Sequence, residues 1–96
     1  MNVNFANGYQ RIEPLVITLP DGESMECAMP SLADIKQISE YSTNSMSDVI
    51  KLVKFIVDKN KSGKKYAEKD IESWGIDVFY GISEAWVEWI GEMRKN

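Results

Sequence analysis

The sequence predicts an α+β domain: an N-terminal β-hairpin packed on a small bundle of three to four α-helices. Three observations carry this. A β-branched run is closed by Pro20-Asp21-Gly22 and followed by an alternating run. Two later segments then repeat apolar residues at helical spacing. Finally, 96 residues with 44% hydrophobic and 27% charged side chains suit one modest core, not a disordered chain.

Residues 1–13 are rich in Asn and lack a period, which predicts a flexible leader with at most a short strand at Val3–Phe5. Residues 14–96 form the single α+β domain. Its hairpin spans 15–29. Leu15 to Leu19 is the first strand, and Pro and Gly meet the turn's backbone demands. From Glu23 onward, Glu23, Met25, Cys27 and Met29 fall on one side, and Ser24, Glu26 and Ala28 on the other. An isolated hairpin is marginal in water, so one face must rest on the helices.

The helices are expected at about 31–41, 47–59, 67–74 and 77–94. Ser31 with Asp34 resembles a capping pair, and Leu32, Ile35 and Ile38 follow at helical spacing. The Ser42–Ser45 segment breaks this helix, and Ser45 or Ser47 can cap the next. There, Val49, Ile50, Val53, Ile56 and Val57 make a stripe that Leu52 and Phe55 widen, the pattern of a helix covered on more than one side. A buried strand is the competing reading, and length and period favour helix. In the last helix Phe79, Ile82, Trp86, Trp89 and Met93 keep one line, with Tyr80, Val87 and Ile90 outside it. Acidic residues lead and Arg94 and Lys95 close, the order that suits the helix dipole.

Composition excludes several functions. There is no histidine, so the commonest general acid–base group and transition-metal ligand is missing. Cys27 has no histidine to activate it and reads as a core thiol. Asp21-Gly22 lacks the remaining ligands of a calcium loop, and Ser62-Gly63-Lys64-Lys65 lacks the upstream Gly and the Ser or Thr of a phosphate loop. No catalytic, cofactor or metal site is expected, and the chain does not read as an enzyme.

Net charge is −4, and the lysines at 59–65 are flanked by Asp58, Glu68 and Asp70. That run is expected to be a solvated loop and not a nucleic-acid site. No run approaches the roughly 20 apolar residues of a membrane span, and no signal peptide is evident. With a single cysteine, the expected location is cytoplasmic.

What remains is an aromatic surplus: Trp74, Trp86 and Trp89 beside Tyr66, Phe79 and Tyr80. Either these fill the core between last helix and hairpin, or some mark self-association or a helical partner. The candidate partner-binding residues are Tyr80, Val87, Trp89 and Ile90, with Glu84 and Glu88 as a polar rim. Glu84, Glu88 and Glu92 share one helical face, which reads as a solvated or partner-facing edge more readily than an active site.

The order of features resembles a known family. The strand with Thr18-Leu19-Pro20-Asp21-Gly22, the helix opening Pro30-Ser31-Leu32-Ala33-Asp34-Ile35 and the closing stretch DIESWGIDVFYGISEAWVEWI at 70–90 resemble the tail assembly chaperones of long-tailed bacteriophages and related prophages. The resemblance spans roughly residues 13 to 92. It implies a small, mostly helical, non-enzymatic protein of the bacterial host cytoplasm. Such a protein coats the tape-measure protein, keeps its helices soluble and recruits tail-tube protein subunits. The reading from another class is an acidic inhibitor or antitoxin-like module with a basic target.

Overall fold

The computed structural model describes residues 1–8, 12–41 and 44–95, with side-chain surroundings described as far as residue 92. Residues 9–11 of the expected leader, 42 and 43 of the helix break, and the side chains of Met93, Arg94 and Lys95 lie outside the described residues.

The fold is α+β, a hairpin followed by four helices. Strands β1 (Val16–Thr18) and β2 (Ser24–Glu26) pair antiparallel, with Ile17 opposite Met25. The connection is a three-residue loop. Gly22 N–H donates to Leu19 C=O at 2.8 Å, Leu19 N–H donates to Glu23 C=O at 2.9 Å, and Gly22 has a φ of 87°. That left-handed backbone is the reason glycine stands there. The inward row is Ile17, Leu19, Met25 and Cys27, while Glu23 and Met29 are exposed. The strands are shorter than the alternation predicted, and among the described residues Val3–Phe5 form no strand.

Helix α1 (Leu32–Ile38) starts on a complete capping box: Asp34 N–H donates to Ser31 Oγ, and Ser31 N–H to Asp34 Oδ2. Ile35 and Ile38 are half-buried, but Leu32 is 90% exposed. In a helix of seven residues the first position projects beyond the packed side, and the apolar spacing alone could not reveal that. Helix α2 (Met46–Asp58) begins after Ser45, whose Oγ accepts from Asp48 N–H at 3.4 Å. It buries Val49, Val53, Ile56 and Val57 and packs on both α3 (Glu68–Glu72) and α4 (Ile76–Lys95). Its wide stripe is covered on more than one side, as its pattern predicts.

The core gathers Leu19, Met25 and Cys27 from the hairpin, the α2 stripe, Tyr66, Ile71, and Phe79, Ile82 and Trp86 from α4. The lysine-rich segment is more than a solvated connection. Asn60 is buried there. Its Nδ2 donates to Val57 C=O and Lys64 C=O, both at 2.7 Å. Its Oδ1 accepts from Ser62 Oγ at 2.7 Å and Lys64 N–H at 3.1 Å. The same stretch pairs with β2: Cys27 bridges Asn60, Ala28 N–H donates to Lys59 C=O and Lys61 N–H to Glu26 C=O. Ion pairs Lys61–Glu26, Lys64–Glu23 and Lys59–Asp34 fasten the loop to hairpin and α1. A charge run alone does not show that its cations face carboxylates of a distant strand.

Candidate partner-binding surface

Helix α4 turns about 100° per residue, so its side chains divide into sectors. Phe79, Ile82 and Trp86 point into the core, with Trp89 and Ile90 half-buried at its margins and packed against it. Trp89 Nε1–H also donates to the backbone C=O of Glu13 at 2.8 Å, which ties the end of the leader to the helix. To one side of this sector, about a quarter to a third of a turn from its centre, Ile76, Val87 and Tyr80 fall within about 40° of one another. All three are exposed, at 63%, 61% and 53%. Beside them, at about 80–120°, run Glu84, Asp77 and Glu88, also exposed and with no ion-pair partner among the described residues.

Of the six residues proposed from sequence, the structure therefore groups Tyr80, Glu84, Val87 and Glu88 on one outer face. It places Trp89 and Ile90 against the core instead. Trp86 is buried and Trp74 half-buried, edge-on to Tyr66 at 6.3 Å, so the core absorbs much of the aromatic surplus. Ile76 lies one residue before the start predicted for this helix. Its spacing to Tyr80 and Val87, four and eleven residues on, is the signal that would have found it.

At its N-terminal end this strip runs into a largely apolar hollow of about 240 Å³ that Met46, Ile50, Ile71, Trp74, Ile76 and Phe79 line, with Glu72 beside them. Met46 is 53% exposed at its rim. A second, wider cleft lies on the far side of the carboxylates, between residues 12–15 and Ala85, Glu88, Trp89 and Glu92. Charge is segregated along the chain. Eight of the eleven Lys and Arg residues lie between 36 and 69, whereas residues 70–93 carry six carboxylates and no cation. The outer face of α4 is thus negative, and an apolar strip runs along its edge.

Chemistry elsewhere is sparse. Burial, and then the charge of Glu26, push the Cys27 thiol up to about 11, so it is protonated at neutral pH. Among the described residues no three His, Cys, Asp or Glu side chains are placed to hold a metal ion, and no helix is long and apolar enough to cross a membrane. A hollow between α1 and α2 is lined by Lys51, Lys54, Lys59 and Lys65 together with Asp58 and Glu68; Lys54 and Lys59 pair with Asp58 and Asp34 at 2.7 and 2.8 Å. Comparison of the chain with protein-family models, curated proteins and solved structures returns no match.

Proposed function

We propose that the chain is a non-enzymatic protein-binding module that acts as a phage tail assembly chaperone, sheathing the helical tape-measure protein and helping to recruit tail-tube subunits. The observation that supports this reading is the outer face of α4, where Ile76, Tyr80 and Val87 stand exposed in one line on the longest helix. Large apolar side chains left exposed in line on one helix face favour a docking role over chance exposure. A helix that packs its other side on the core can cover a partner's apolar stripe without unfolding. The proposed setting is the cytoplasm of the bacterial host.

The test is co-elution on a sizing column with light scattering, using the whole chain and a helical fragment of the same phage's tape-measure protein. A complex that persists in high salt, and that Tyr80→Ser with Val87→Ser abolishes without lowering the melting temperature, supports the reading. A chain that ignores the fragment overturns it. The six carboxylates of residues 70–93 favour a second reading, an acidic inhibitor-like module for a basic target. That reading requires binding to collapse as salt rises.

A further inference from the structure

The exposed side of α4 carries two parallel features, and together they specify a partner more narrowly than either alone. The apolar strip Ile76–Tyr80–Val87 opens into the hollow lined by Met46, Ile50 and Trp74. On α4 itself the carboxylates Asp77, Glu84 and Glu88 flank one edge of that strip and none flanks the other, while Glu72 lines the hollow at its end. The three on α4 are spaced seven and four residues apart, so they project as one column along three turns, about 17 Å of helix. No Lys or Arg interrupts the column from residue 70 to residue 93.

We propose that this face receives an amphipathic helix whose apolar stripe is bordered, on one flank only, by Lys or Arg residues at matching four- and seven-residue intervals. The inference deepens the protein-binding reading and rests on it. Apolar contact supplies most of the affinity, and the one-sided charge column selects the partner and fixes which way round it lies.

Charge complementarity also argues against a second copy on this face. Two α4 helices packed antiparallel through the strip set the acidic flank of one chain, Asp77, Glu84 and Glu88, along the same flank of the other. Like charges at such distances oppose association. A partner helix that is acidic or uncharged on that flank leaves the carboxylates uncompensated.

The experiment uses the whole chain and three designed helical peptides of about 18 residues, long enough to be helical in water. They share one apolar stripe and carry Lys, Gln or Glu on one flank. Binding is measured by fluorescence anisotropy at near-physiological salt. The Lys peptide should bind about tenfold more tightly than the Gln peptide, as a few exposed ion pairs together allow. The Glu peptide should bind more weakly than either. In the double variant Glu84→Lys with Glu88→Lys the order should invert. These positions are exposed on a helix, so circular dichroism should show the fold unchanged.

Equal binding of all three peptides, with no inversion in the variant, overturns the charged-flank inference and leaves the apolar docking surface standing. Binding of none, by a chain that remains folded and monomeric, overturns both. A chain that dimerises through Tyr80 and Val87 and excludes every peptide assigns the face to a second copy and overturns the proposal.

Discussion

Replacing Asn60 with Ala tests whether the lysine-rich segment is a clasp or a mere connection. Asn60 is 7% exposed and is the single buried polar residue among those described. Its side chain makes four hydrogen bonds at 2.7–3.1 Å, to Val57 C=O, Lys64 C=O, Lys64 N–H and Ser62 Oγ. Each is worth about 1 kcal/mol net, and removing their common partner leaves backbone groups of Val57 and Lys64 without it. Some of those groups reach solvent, so the expected loss is about 2–4 kcal/mol. For a domain of this size that lowers the melting temperature by roughly 10–20 °C. Asn60→Asp keeps the shape but cannot donate to either carbonyl, so it should cost at least as much. Ser62→Ala removes one of the four bonds at a residue that is itself exposed, and should cost no more than about 1 kcal/mol. Urea titrations of the three variants give the comparison directly. A loss below about 0.5 kcal/mol for Asn60→Ala is the size of an ordinary surface substitution. It would refute the clasp, and with it the tie that Asn60 makes between the end of α2 and the hairpin.

Two further outcomes follow from the geometry. Trp89→Ala should destabilise the domain by about 2–3 kcal/mol and Trp89→Phe by about 1, because the ring is half-buried and its N–H holds Glu13. Thermal melts decide this, and a stable Trp89→Ala chain that no longer binds its partner would return Trp89 to the docking surface. The hydrogen bond from Lys59, followed by that from the Ser31 backbone N–H, holds the Asp34 carboxyl below its usual value. A lowered folded pKa contributes stability that is present above the unfolded value near 4 and lost as pH falls through the folded one. Urea midpoints between about pH 5 and 2 should therefore fall less steeply for Asp34→Asn than for the parent chain, and parallel curves would show that the pair contributes nothing.

Local chemistry made much of this architecture legible. Pro20-Asp21-Gly22 announces a hairpin because a left-handed residue is needed after the turn, and Gly22 takes that role. Ser31 with Asp34, and Ser45, mark helix starts because unpaired N–H groups at a helix end need acceptors. The stripes of α2 and α4 stand out because burial follows the helical period. What could not be read depends on long-range partners. Trp89 and Ile90 sit at opposite margins of the core-facing sector of α4. Whether such margins are covered is decided by what lies alongside, and residues 12–15 cover the Trp89 side. The role of Asn60 was hidden likewise, since one amide among lysines gives no sign that two carbonyls converge on it. Of the proposed partner face, Tyr80, Glu84, Val87 and Glu88 could be picked from the helical pattern. Ile76 and the hollow beside it depend on where α4 begins and on how α2 and Trp74 approach it.

The bridge from Cys27 to Asn60 also has a consequence for the chain while it is being made. The hairpin is synthesised first, yet its second strand is anchored only when residues 59–61 arrive, about 34 residues later. At about 5–20 residues per second, that delay lasts roughly 2–7 s. Two strands of three residues do not hold together alone in water for such an interval. Leu19, Met25 and Cys27 therefore spend it uncovered. The outward row is Val16, Thr18, Ser24 and Glu26, and its three polar members are then the nascent segment's protection against pairing edge-to-edge with another chain.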